Sequence, residues 1–202
     1  MYILGINAYH GDASACIFKN EELIAATEEE RILRVKHWAG FPCESIKFCL
    51  EEAGIDITQV DHITIARDPS ANILKKVAHV LKNLASIDAA KDRLLNRKKI
   101  SNLAKDFSSC FGIKESSITA KIHNIEHHRS HMASAFFASP FEESAVLSID
   151  AFGDFTSTML GKGTGNKINV ESQVNFPHSV GAFYTAFTQY LGFNHFGDEY
   201  KL

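Results

Sequence analysis

The chain is short of several features that would decide its class at once. Its 202 residues contain only four cysteines and four prolines. Cys16, Cys43, Cys49 and Cys110 form no CxxC pair and no regular framework, so a disulfide scaffold and a thiolate zinc knuckle are both excluded as organising principles. Free, mostly buried thiols in a reducing compartment are expected instead. No apolar run approaches the roughly 20 residues of a membrane-spanning helix, and the opening MYILGINAYHGDASA lacks the basic stretch that precedes a signal peptide's apolar core. A cytoplasmic protein with no membrane partner is expected. The formal net charge of -3 offers no field that would gather nucleic acid, so none is expected as a partner. GxxxxGK[ST] and HExxH are both absent, which removes the P-loop and the zinc-protease mechanisms.

What is present is a folding sequence, 45% hydrophobic and 22% charged. Residues 2–7, 13–18 and 23–27 are short apolar runs with breaks at Gly11-Asp12 and Lys19-Asn20, the pattern of an antiparallel meander. Residues 42–53 carry a helical apolar face and stop at Gly54, and residues 63–66 return as a strand. Residues 70–115 read as a helical insertion with a basic middle at Lys91, Arg93, Arg97, Lys98 and Lys99. Beyond it, residues 117–122 suggest a strand and residues 126–138 a helix. Strands are expected over 145–149, 156–160 and 168–174, with loops at 150–155 and at the glycine cluster 161–165. A helix is expected over 180–191. Two successive meander-plus-helix patterns predict an α/β fold of the ribonuclease-H-like plan: a mixed sheet with flanking helices.

The strongest chemical signal is His127-His128-Arg129-Ser130-His131. On a helix, positions four apart share a face, so His127 and His131 can direct their imidazoles at one metal ion while His128 points elsewhere. Two nitrogens do not complete a site. Asp150, at the end of the apolar run 145–149, is the best placed third group. Gly153, in the turn after it, permits close approach of backbone to a ligand. His10, between two expected strands, is suited to accept a proton from water or an alcohol, and Lys36 with His37 can clamp an anion. The run Glu28-Glu29-Glu30-Arg31 reads as a solvated face.

Four blocks together resemble a known family. ILGINAYHGDASACIF, TEEERILRVKH with the following FP, EHHRSHMASAFFASPFEESAVLSIDAFGDFTSTMLG, and NFPHSVGAFYTAFTQYLGF with GDEYKL are similar to the front of the N-terminal domain of O-carbamoyltransferases from nodulation-factor and antibiotic biosynthesis. The resemblance implies a fold of the actin-like ATPase superfamily over residues 1–202, with 70–115 inserted and the domain incomplete. It implies transfer of a carbamoyl group from carbamoyl-adenylate to a small-molecule hydroxyl. The adenylate would be made from ATP and carbamoyl phosphate by a C-terminal domain that this chain lacks, so the isolated chain is not expected to run the whole reaction. By the same carry-over His127 and His131 bind a metal, iron in the family, with an aspartate that comes much later in the family's chain and that no residue here stands for. His10 becomes the base, while Lys36, His37, Asp150 and Gly153 face the nucleotide or carbamoyl group. The alternatives are another actin-like ATPase or kinase, and a non-catalytic metal-binding module.

Overall fold

The computed structural model describes residues 1–82, 103–195 and 197–202. The backbone divides into two units, one of Met1–Ala66 with Val77–Asn124 and one of Arg67–Lys76 with Ile125–Leu202.

In the first unit the short apolar run at the start of the chain forms strand β1 (Tyr2–Asn7), whose alternate residues Leu4 and Ile6 are buried. Strand β2 (Ser14–Lys19) pairs with it antiparallel, Tyr2 opposite Lys19 and Asn7 opposite Ser14. Strand β3 (Glu22–Glu28) continues the meander. The short helix α1 (Glu29–Leu33) ends where Arg34 turns left-handed at φ 58°. Helix α2 (Cys43–Ala53) buries Ser45, Ile46, Cys49 and Leu50, and stops at Gly54, whose φ of 64° suits a residue without a Cβ. The chain then re-enters the sheet as β4 (His62–Ile65), parallel to β1, and later as β5 (Lys121–Asn124), parallel to β4. The order β3-β2-β1-β4-β5 is the expected mixed sheet opened by a meander. Its core gathers Leu4, Ile6, Ile17, Ile46, Ile63, Ile65 and Phe107.

The described parts of the insertion are helical: α3 (Ile73–Lys82) and α4 (Leu103–Phe111). The basic cluster from Lys91 to Lys99 lies outside the described residues. Leu103 and Phe107 bury one face of α4 in the core, and Cys110 at its end is disulfide-bonded to Cys43 at the start of α2. This corrects the expectation of four free thiols. The partners stand 67 residues apart, so only the fold brings them together; Cys16 and Cys49 are the free pair. The strand expected from 117 begins only at Lys121, after a single helical turn at Glu115–Ser117.

The second unit is helix α5 (His127–Phe136) and a three-stranded antiparallel sheet, β6 (Glu143–Gly153), β7 (Thr156–Thr164) and β8 (Lys167–Asn175), followed by helix α6 (Val180–Tyr190). Met132, Phe136, Val146 and Met159 form its core. The strands are longer than the sequence suggested. Gly161 and Gly163, expected in a turn, lie within β7, where a Cβ on Gly163 would fall 2.6 Å from the Phe136 ring and one on Gly161 would fall 2.7 Å from the Met132 methyl. The glycines are there so that α5 can sit close on the sheet. Likewise 150–153, expected in a loop, belong to β6, with an irregular register between Ile149 and Gly153. The turn itself falls at Asp154 and Phe155, both left-handed. Among the described residues no helix is long and apolar enough to cross a membrane.

Candidate metal centre

Helix α5 starts at Glu126, whose side chain accepts a hydrogen bond from the Arg129 amide at 2.8 Å. From that start the spacing of four puts the His127 and His131 rings 4.6 Å apart, with their Nε2 atoms at 3.0 Å. His128 is turned to the buried side, its ring 5.5 Å from that of His127 and 6.1 Å from that of His131. Its Nε2–H donates to the Thr156 carbonyl at 3.0 Å, which leaves Nδ1 to accept from the Ser148 hydroxyl at 2.8 Å. It is a satisfied core imidazole, and burial pushes its pKa down.

The irregular stretch of β6 presents Asp150 to the half-buried His127 and the exposed His131. Asp150 Oδ2 is 2.8 Å from His127 Nε2 and 3.7 Å from His131 Nε2, so the three donor atoms lie within 4.8 Å of one another. Hydrogen bonds from His127 and then His131 hold the Asp150 carboxyl far below the usual carboxylate range. For His127, burial acts downward, but the hydrogen bond and charge of Asp150, with help from Asp154 and Glu126, outweigh it and raise the imidazole.

Three further contacts fix this geometry. The His127 amide donates to Asp154 Oδ2 at 3.0 Å, and the same oxygen accepts from the Asp68 amide at 2.7 Å. The Ser179 hydroxyl caps α6 by accepting from the Ala182 amide at 2.9 Å and donates to the Ala151 carbonyl at 2.7 Å, tying α6 to the Asp150 segment. Gly153 lies against the His127 ring, where a Cβ would come within 2.0 Å of Cδ2 and 2.2 Å of Cγ. Two imidazole nitrogens and a carboxylate oxygen, converging with their neighbours pinned, are a donor set suited to a borderline divalent cation such as zinc or ferrous iron.

The other singled-out residues belong to the first unit. His10 sits exposed in the β1–β2 turn, with Nδ1 3.1 Å from the Gly11 carbonyl. Lys36 is exposed. His37 has Nδ1 2.7 Å from Asp12 Oδ1, and its amide donates to Glu30 Oε2 at 2.9 Å. Asp12 and Glu30 were not singled out by sequence. His123 pairs with His62 across β4 and β5, Nε2 to Nδ1 at 3.0 Å. Glu29 was read as part of a solvated face but is 2% exposed, and its carboxylate accepts from the Glu44 and Ser45 amides at 3.1 and 2.7 Å, capping α2. An acidic run gives no local sign of which member turns inward.

The family model described as "Carbamoyltransferase N-terminus" matches residues 2–202. An uncharacterized protein of Synechocystis is 40% identical over 207 residues, spanning 100% of this chain and 34% of that protein. The nodulation protein NolNO of Sinorhizobium fredii is 34% identical over 197 residues, 97% of this chain and 27% of that protein. The chain thus spans about a third or less of the length of these relatives. Among solved structures, YeaZ from Pseudomonas aeruginosa is similar over 88% of this chain and 68% of that one, at a TM-score of 0.44 and 13% identity.

Proposed function

Because the chain belongs to the family of the carbamoyltransferase N-terminus, we propose that it serves an enzyme that moves a carbamoyl group from carbamoyl-adenylate to a hydroxyl of a small molecule. The observation that carries this reading is the convergence of His127, His131 and Asp150 on one point. In it these three side chains would hold a divalent cation, iron by the family resemblance, which when bound would supply Lewis acidity. In this reading Asp150 is a ligand of that cation.

The remaining steps fall to the chain's own residues. A carbonyl only accepts, so the 3.1 Å contact of His10 Nδ1 with Gly11 requires the proton on Nδ1 and makes Nε2 the basic nitrogen. Nε2 takes the proton of the acceptor hydroxyl as its oxygen bonds to the carbamoyl carbon and the carbon–phosphate oxygen bond breaks. AMP leaves with the electron pair. Lys36 and His37 bind anionic oxygens of the donor, and Asp12 and Glu30 hold His37 for that task. In this reading a separate adenylate-forming domain uses ATP and carbamoyl phosphate, and the reaction runs in the cytoplasm, where both are found.

The chain is titrated with cobalt(II) and, separately, supplied with carbamoyl-adenylate and a sugar alcohol as model acceptor. One equivalent of cobalt should bind, and H127A and H131A should each abolish it. H10A should leave cobalt binding intact and lose carbamoylation of the polyol. Absence of metal binding by the unaltered chain, or normal transfer by H10A, refutes the reading.

A further inference from the structure

The turn that carries His10 is held in an unfavourable shape. Tyr9, immediately before His10, has φ 62°, a left-handed conformation that is uncommon for a bulky residue and persists only where the surroundings over-determine it. Four kinds of contact do so. The Tyr9 amide donates to the Gly40 carbonyl at 3.1 Å, and the Ala13 amide to the Trp38 carbonyl at 2.9 Å. The Asn7 side-chain amide reaches the Asp12 carbonyl at 3.0 Å across the turn. The Tyr9 ring lies 6.4 Å from that of Phe41, which meets Phe107 edge-on at 5.1 Å. The Tyr9 hydroxyl donates to Asp106 Oδ2 in a short hydrogen bond.

Asp106 and Phe107 are neighbours on α4, the returning helix of the insertion. That helix is a firm base: Leu103 is 3% and Phe107 0% exposed, and Cys110 ties it to α2. The contact between residues 97 apart in sequence therefore links a rigid helix to the one turn whose direction decides where His10 points.

We propose that Asp106 is a positioning residue that acts through Tyr9: by anchoring the Tyr9 hydroxyl it holds the left-handed turn, and so sets the orientation and tautomer of His10. The assignment rests on the reading of His10 as the base, and it gives the insertion a task in the reaction. A hydroxyl anchor is directional where ring packing alone is not, so the insertion helix sets the turn's geometry as well as filling volume behind it.

The test is made on the full chain by nuclear magnetic resonance, with 15N shifts of the His10 ring reporting its tautomer and amide exchange reporting the turn 9–13. The unaltered protein should show His10 protonated on Nδ1. D106A and Y9F should each shift the ring toward the mixture of tautomers found in solution and speed exchange in the turn about tenfold. The double variant should do no more than either single one, because both remove the same link. D106N keeps an acceptor oxygen and should restore most of the Nδ1 form. S108A, which deletes a 2.5 Å bond from the same helix to the Ile113 carbonyl, loosens α4 without touching Tyr9 and should leave the His10 ring unchanged. Additive effects of D106A and Y9F, or an unaltered His10 ring in D106A, overturn the proposal. No transfer is measured, so a failure of His10 as the base shows in the polyol assay and not here.

Discussion

Replacing Gly153 with alanine tests the metal centre without removing any donor. A Cβ at this position would stand 2.0 Å from His127 Cδ2, 2.2 Å from Cγ and 2.7 Å from Cβ. Carbon atoms in good contact sit about 3.5–4.0 Å apart, so the shortfall is on the order of 1.5 Å. Rotation about the Cβ–Cγ bond cannot supply it, because Cγ and Cβ of His127 are themselves in the way. Either the whole ring leaves its position or the irregular stretch of β6 moves, and both separate His127 Nε2 from Asp150. Overpacking of this kind costs about 1–3 kcal/mol of stability, and disturbing a ligand's support typically weakens metal binding about 10–100-fold. Cobalt(II) titration and urea unfolding of G153A measure the two effects. G54A is the control: Gly54 also rejects a side chain, through its φ of 64°, but has open space around it and lies in the other unit. It should lose about 1 kcal/mol and no metal affinity. Cobalt affinity in G153A equal to that of the unaltered chain would refute the argument that Gly153 seats His127.

Two further outcomes are expected. E29A removes the carboxylate that receives the Glu44 and Ser45 amides, leaving two donors at the head of α2 without their acceptor; it should lower stability by about 1–3 kcal/mol, and an unchanged urea midpoint would contradict the assignment of Glu29 as a cap. Burial, followed by the hydrogen bond and charge of Asp106, pushes the Tyr9 phenol above its ordinary range. A group whose folded value lies above its unfolded value gives stability that is present below the unfolded value, about 10 for tyrosine, and is lost as pH rises beyond it. Urea midpoints should therefore hold up to about pH 10 and fall as pH rises beyond it, and Y9F should flatten that fall; an equal slope in Y9F would show that another group is responsible.

The parts of the fold that were legible are those written in short-range periodicity. The short apolar run of residues 2–7 and the helical face of 42–53 ending at Gly54 appear as strand and helix where expected, because each is bounded by local turn or stop signals and the helical face displays its period within one segment. The histidine spacing was readable for the same reason: four residues on a helix is a local geometry, and His128 faces away as the spacing requires. Asp150 was legible as a candidate because it follows a strand, but its distance to the two imidazoles depends on an irregular register between Ile149 and Gly153 that no local pattern announces. Gly161 and Gly163 were misplaced because glycine marks both turns and close approaches, and only the position of Phe136 and Met132 decides between them. The Cys43–Cys110 bond and the Tyr9–Asp106 link join segments far apart in sequence, through an insertion whose charge pattern says nothing of its core face.

The buried member of the histidine run has a consequence for how such a centre can be altered or transplanted. With one ring nitrogen committed to the Thr156 backbone and the other to Ser148, His128 works as a key in a slot: α5 cannot roll about its axis without breaking both bonds inside the protein. The aim of the two neighbouring rings is thus set by a residue that is not one of the three converging donors. A helix engineered to carry only the outer pair would have the right spacing and no fixed heading.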